Sequence, residues 1–406
     1  MKELKCIKYS ALSPKWQGVH QKTALKYFLA IVMALMFMTS CGKNEASMSA
    51  TDAKLNLSGQ LHVDYATVGD KRQVKLSDII DKLDVVKMDN SADALFKRDW
   101  VYLSDNYIVA KDGSRDMRPA KIFDKKGRYI APIGGIGRGP GEYTSVYDIL
   151  IDENMGAIYL TQFSSRVINQ YDLNGKFIKE IELGATLNKP RLFNNGDSTI
   201  SVVNLSFNDR KNAFVAATFN PFTNEKTILT CQELGTNFEN EEGAGVGFNN
   251  EVFSYRNCIG NTFNFSYNDN HLLKYDPSNN SISSVLDFSL PENMRQDHWC
   301  VYNELPNSIL VHIVGPNGKT IEISKNDGSA AEVEYVNDLL GGFETGMLFQ
   351  DGYYFKMYEP RNLKDGISEF IKSNDVDDDT NATLMQLINS VDDDDNNILL
   401  IGKLKP

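Results

Sequence analysis

Histidine and cysteine are scarce in this chain, five of each among 406 residues, and neither is clustered. His20, His62, His271, His298 and His312 lie far apart, and no His-Glu-x-x-His or Gly-x-Ser-x-Gly segment occurs. The zinc-protease and serine-hydrolase patterns are therefore excluded. Helical spacing is rare between residues 100 and 370, where aromatic and β-branched residues dominate the apolar runs, so a helical solenoid is excluded as well. Basic charge is in deficit: 42 Lys and Arg stand against 54 Asp and Glu, a net charge of −12. Such a surface repels nucleic acid and anionic membranes and leaves neither as an expected partner.

Long hydrophobic runs are also lacking, with one exception. Phe28 to Met38 is apolar throughout, preceded by Lys22 and Lys26 and followed by Thr39-Ser40-Cys41-Gly42. As a helix it spans only about 16 Å, too short for a bilayer, so it reads as a signal peptide covering residues 1–40. Residues 1–21 add nothing to that signal, which points to a true start near Val19. A Cys placed directly after such a segment resembles the lipobox of bacterial lipoproteins. The resemblance implies cleavage before Cys41, a covalent lipid on Cys41, and attachment to the outer membrane by that lipid alone. Without residues 1–40 the chain keeps 36 basic and 53 acidic residues, a net charge of −17. Residues 41–59 are polar, small and free of aromatics, and read as a flexible tether. The remaining cysteines, Cys231, Cys258 and Cys300, allow one disulfide between Cys258 and Cys300, but buried free thiols are the expected state.

What is present is a repeat. Phe123-Asp124 returns as Tyr171-Asp172, Phe219-Asn220, Tyr275-Asp276 and, less clearly, Ile323-Ser324, at spacings of 48, 48, 56 and 48 residues. Each pair precedes a polar turn and a second apolar run, Asn174-Gly175 being the clearest hairpin signal. Upstream lies a second turn, at Asp105-Asn106, Asn154 to Gly156, Asn195-Gly196, Gly260-Asn261, Asn307 and Asp351-Gly352. Two turns per period predict a four-stranded antiparallel blade, and six copies predict an all-β, six-bladed β-propeller over residues 60–406. The ring needs closing, and Val85 to Met88 with Ile398 to Ile401 supply an N-terminal and a C-terminal strand to pair in the sixth blade. Leu76 to Leu83, with Ser77 as its N-cap, is expected to form a helical turn before that closing strand. Residues 361–396 read as an acidic insertion in the sixth blade, with helical spacing over Ala382 to Ile388. Its Asp runs fail as calcium loops, because Thr380 and Gln386 stand where the loop needs Gly and Glu.

The segment Gly134-Gly135-Ile136-Gly137-Arg138-Gly139-Pro140-Gly141-Glu142-Tyr143 fits neither a Walker loop nor a dinucleotide fingerprint. It is expected to carry the chain between blades, with Arg138 and Glu142 as a local ion pair. Together with Ser165-Arg166-Val167 and Tyr171-Asp172-Leu173-Asn174-Gly175 it resembles an NHL-type repeat, and residues 75–406 resemble the six-bladed, TolB-like propeller lipoproteins of Bacteroidetes. That resemblance implies a fold and a cell-envelope address but no reaction.

Candidate site residues are those nearest the starts of the innermost strands, which face the channel: Arg98, Asp148, Arg191, Arg256, His298, Trp299 and Glu344. Arg pairs bidentately with carboxylate or phosphate, and Trp299 could stack on a sugar. These residues therefore suit recognition of a glycan, a peptide or a partner protein, or else the arginines bridge neighbouring blades. No metal or other cofactor is expected. The alternative is a calcium-dependent lactonase-like hydrolase with a metal in the channel, which three arginines there would oppose.

Overall fold

In the computed structural model, the described residues are 49–52, 54–237, 250–258, 260–343, 346 and 348–406. Cys41, the proposed lipid carrier, lies outside them, as does Glu344. The chain starts with strands β1 (Ser49–Asp52), β2 (Lys54–Asn56), β3 (Leu61–Asp64), β4 (Gly69–Lys75) and β5 (Asp84–Lys87). Blade 1 follows with β6 (Val101–Leu103), β7 (Tyr107–Ala110), β8 (Lys121–Asp124) and β9 (Tyr129–Pro132). A short pair, β10 (Gly135–Ile136) and β11 (Glu142–Tyr143), leads to blade 2: β12 (Asp148–Asp152), β13 (Ala157–Thr161), β14 (Ser164–Asp172) and β15 (Phe177–Asn188). Blade 3 comprises β16 (Arg191–Asn194), β17 (Ile200–Val203), β18 (Ala216–Phe219) and β19 (Lys226–Thr230). Blade 4 comprises β20 (Val252–Phe253), β21 (Asn261–Phe265), β22 (Asn268–Asp276) and β23 (Ser281–Ser289). Blade 5 holds β24 (Trp299–Glu304), β25 (Ser308–Val314), β26 (Lys319–Ser324) and β27 (Ala330–Val336). Blade 6 holds β28 (Leu348–Gln350), β29 (Tyr353–Tyr358) and β30 (Ile398–Lys403). Each predicted turn falls between two of these strands, and the six-bladed all-β architecture stands.

The repeated aromatic-Asp pair has a physical reason at each residue. The first member is core: Phe123, Tyr171, Phe219, Tyr275 and Ile323 are all buried. The second turns the hairpin. Asp172 Oδ1 accepts from the backbone N–H of Asn174 and Lys176 at 2.9 Å each, and Asp124 Oδ1 does the same for Lys126 and Arg128 at 2.9 and 3.0 Å. Gly175 closes the turn at φ +75°, and a Cβ there would lie 2.0 Å from Pro132 O in the blade before. Glycine is thus required both for the left-handed backbone and for the approach of neighbouring blades.

Six apolar clusters hold the ring, one between each pair of neighbouring blades. Tyr102 and Val109 meet Ile149 and Ile158 between blades 1 and 2, and Val86 and Leu399 meet Val101 and Ile108 between blades 6 and 1. At roughly 25 cal/mol per Å² of apolar surface buried, these contacts dominate the stability, with no disulfide among the described cysteines.

Closure follows the expected scheme. β5 pairs antiparallel with β30, Asp84 opposite Ile401 and Lys87 opposite Ile398, and so forms the outer strand of blade 6. The preceding residues depart from the expected tether. β1 adds in parallel to β19, β2 and β3 to β23, and β4 to β27, so the N-terminal segment straps the outer edges of blades 3, 4 and 5. Backbone ladder bonding, which composition alone does not reveal, orders this polar stretch. The helical turn before the closing strand is α1 (Leu76–Ile79), but its N-cap is Lys75; the Ser77 hydroxyl and N–H instead donate to Asp338, at 2.5 and 3.0 Å. The acidic insertion holds two helices, α2 (Pro360–Ser373) and α3 (Asp378–Asn389), with Asp377 capping α3 by accepting from Thr380 N at 2.9 Å. Leu363, Ile367, Leu384 and Ile388 pack into the cluster between blades 5 and 6.

Candidate functional site

In blade 4 the connection from β20 to β21 runs from Ser254 to Gly260, longer than the corresponding turn in blades 1, 5 and 6. It binds across the ring instead of turning back at once. Tyr255 O accepts from Asp351 N of blade 6 at 2.8 Å. Asn257 donates to Asn303 Oδ1 at 2.6 Å and to Phe349 O at 3.1 Å, and accepts from Gly352 N at 3.1 Å. Between these two, Arg256 takes a left-handed backbone, φ 54°, a conformation that costs a non-glycine residue of order 1 kcal/mol and persists where surrounding bonds impose it.

The Arg256 guanidinium is the meeting point. Nε donates to Asp351 Oδ1 at 2.8 Å, Nη1 to Asp148 Oδ2 at 2.6 Å and Leu192 O at 3.2 Å, and Nη2 to Ile149 O at 2.9 Å. The Tyr102 ring lies 6.0 Å away. One side chain from blade 4 thus reaches blades 1, 2, 3 and 6. Burial works against its charge, but Asp148 and Asp351 outweigh this and hold its pKa above the ordinary guanidinium value. Both carboxylates also tie a further blade, Asp148 accepting from Leu192 N at 2.8 Å and Asp351 from Leu103 N at 3.1 Å.

Arg191 joins this network from β16. Its Nε donates to Val252 O at 2.8 Å, its guanidinium lies 4.5 Å from the Tyr147 ring, and its ends approach Asp148 at 3.9 Å and Glu251 at 3.8 Å. Glu251 also accepts from Lys189 Nζ at 2.6 Å and from the Tyr147 hydroxyl. Desolvation pushes the Glu251 carboxyl up to about 7 and the Lys189 ammonium down to about 8.

Of the residues expected at the channel, Asp148, Arg191 and Arg256 come together. Arg256 follows the inner strand instead of starting it. The other candidates stand apart. Arg98 is exposed and makes one long bond, Nη1 to Met357 O at 3.5 Å. His298 is engaged locally, Nε2 with Pro316 O at 2.9 Å and Nδ1 with Asp297 at 2.5 Å, contacts that raise its pKa with the Pro316 carbonyl foremost. Trp299 is 42% exposed at the start of β24. The sequence reading missed Asp351, Glu251, Tyr147 and Lys189; the length of the Ser254–Gly260 connection was the signal available for the crossing segment. Among the described residues no group of three or more His, Cys, Asp or Glu could hold a metal ion. Asp148 and Asp351 are both engaged by the Arg256 guanidinium. The expected Arg138–Glu142 pair is absent among the described residues; Glu142 Oε2 accepts from Gly139 N at 2.8 Å, and a Cβ on Gly137 would meet it at 2.0 Å.

Where blades 2 and 3 carry the connections opposite the hairpins turned by Asp172 and Asn220, two cavities of about 590 and 560 Å³ adjoin, sharing Arg210, Asn212 and Ala213. Asn188, Asn204, Asn208 and Gln232 supply amides to this groove, and Arg166, Arg210 and Lys211 supply positive charge against one acid among the described residues, Glu233. Arg166 and Lys211 are exposed.

A family described as a domain of unknown function, DUF4934, matches residues 60–403. No curated protein matches. Among solved structures, a Bacteroides fragilis protein whose name marks it as inferred to be exported is 16% identical, with a TM-score of 0.57 over 89% of this chain and 100% of its own. A member of the DUF4221 family from Bacteroides vulgatus is 12% identical, with a TM-score of 0.44 over 80% of this chain and 97% of its own. At such identity the first of these likenesses speaks for the fold alone.

Proposed function

The chain belongs to the DUF4934 family, and from that premise we propose that it is an extracytoplasmic, lipid-anchored binding propeller that takes an acidic glycan or peptide in the groove of blades 2 and 3. The observation that carries this reading is a local inversion of charge. In a chain of net charge −12, the described lining of the groove holds Arg166, Arg210 and Lys211 against one acid, Glu233, among amides and hydroxyls. Such a patch attracts anionic ligands that the rest of the surface repels. Amide-rich linings also supply paired donors and acceptors for hydroxyl-bearing ligands. Binding on this face, outside the channel, also agrees with the use of Arg256 and its carboxylates as ties between blades.

The test compares polygalacturonate with neutral dextran on a chain starting at residue 47. Polygalacturonate is expected to bind with an affinity that falls as salt rises, and Arg166→Ala with Lys211→Ala to weaken it at least tenfold without changing the melting temperature. Equal binding of dextran, or an unaffected double variant, overturns the reading.

The address rests on the signal-like segment ending at Ser40 and on Cys41. Cys41→Ala is expected to leave the fold intact and move the protein from the membrane fraction to the soluble one. Retention after a high-salt wash would rule lipidation out as the anchor.

A further inference from the structure

A further cavity lies away from the groove. Where the inner strands of blades 5 and 6 face the axis, with blades 4 and 1 completing the wall, a space of about 270 Å³ opens. Its apolar lining includes Trp100, Phe253, Tyr255, Val314, Leu348 and Phe355. Trp100 and Phe355 pack edge to face, with centroids 5.4 Å apart. Among the described residues no charged side chain contributes to the lining, in a chain of which 24% is charged.

The polar groups on this lining divide into spent and unspent. Trp100 Nε1 donates to Gln350 Oε1 at 2.9 Å, and the Asn303 amide bonds Asn257 and Phe349 O at 2.6 and 2.9 Å. His312 meets Thr320 Oγ1 through Nδ1 at 3.1 Å, and among the described residues its Nε2 has no partner. The Tyr255 hydroxyl likewise has none. Burial holds the His312 imidazole down to about 4, so it is neutral near pH 7 and can donate or accept one hydrogen bond. Two unspent polar groups on an otherwise apolar and aromatic wall are the composition of a small-molecule site.

We propose that this cavity binds a single neutral aromatic ring bearing one hydroxyl group, a phenol-type ligand, with the ring among Trp100, Phe253 and Phe355 and the hydroxyl meeting His312 or Tyr255. The volume falls below the roughly 300–1,000 Å³ of pockets for drug-sized ligands, which limits the occupant to one ring. Its charge is limited too, because a carboxylate or ammonium would be desolvated there with no ion to pair with.

The probe is 4-fluorophenol, observed by fluorine NMR on a chain starting at residue 47. Saturable binding is expected, at least tenfold weaker for 4-fluorobenzoate, and lost on Val314→Trp, which fills the space. Leu348→Trp makes the same test from blade 6 should Val314→Trp not fold. His312→Phe is expected to weaken 4-fluorophenol while sparing 4-fluorotoluene, which needs no hydrogen bond. Arg166→Ala with Lys211→Ala leaves all of this unchanged, so the site stands or falls apart from the groove. Equal binding of 4-fluorobenzoate, unaltered binding by both tryptophan variants, or no saturable binding to the unmodified protein overturns the proposal.

Discussion

Arg256→Ala is expected to destabilise the whole propeller by about 3–5 kcal/mol, the usual cost of removing one partner from a buried ion pair. The substitution strips both Asp148, 2% exposed at its side chain, and Asp351, 10% exposed, of the cation they share. It also leaves the carbonyls of Ile149 and Leu192 without the donors they now have. Arg256→Lys should recover little, since one ammonium cannot match a planar fork that serves four acceptors in three directions. Neutralising the stranded acids should recover more: Arg256→Met with Asp148→Asn and Asp351→Asn is expected to be more stable than Arg256→Ala alone, because two uncompensated buried charges are gone. Urea denaturation of the three proteins decides the matter. A loss below about 1 kcal/mol for Arg256→Ala would mean that the contacts around it are incidental to the ring.

Deletion of Ile398–Pro406 is expected to abolish cooperative folding altogether. β30 is an interior strand, paired over six residues with β29 and over four with β5, so its loss leaves the N-terminal strand with nothing to join. Two apolar clusters fail together, since Ile398 and Leu400 serve one interface and Leu399 and Ile401 the other. Removing residues 47–64 instead strips edge strands from blades 3 and 4 but leaves the ring closed, and should lower the melting temperature while preserving one sharp transition. If the C-terminal deletion still melts cooperatively, closure is not what holds the domain together.

The blades could be read from the chain because their rules are local. Tyr171 and Asp172 have roles set by a buried strand face and a turn three residues long, and both leave marks at fixed spacing. The closing strands were found by elimination, since a ring of blades needs a last pair. The strap was hidden because parallel edge strands can be built from polar residues: in β4, of sequence Gly-Asp-Lys-Arg-Gln-Val-Lys, only Val74 is buried, and no alternation shows. At the site, two of the three expected arginines, Arg191 and Arg256, are brought together while Arg98 stands apart, and the bridging of neighbouring blades was one of the two roles left open for them. Arg256 belongs to a connection, and its partners Asp148 and Asp351 sit on other blades, brought together only by the curvature of the ring. Asp351 looked like half of a turn signal, which it also is. Of the groove bases, Arg166 lies on β14, while Arg210 and Lys211 sit in the long connection between β17 and β18, where periodicity has nothing to report.

The strap also sets a timetable. Residues 49–87 leave the ribosome before every blade they join, and their partners, from Thr227 in blade 3 to Ile401 in blade 6, are made much later. The opening stretch must wait unpaired through synthesis and, for an exported chain, through translocation, while the finished blades wait with bare strands to receive it. Folding that depends on such distant pairings is slow, and the waiting species is the one prone to aggregate. A late rate-limiting step, the docking of the first residues onto an otherwise complete ring, is built into the order of the chain.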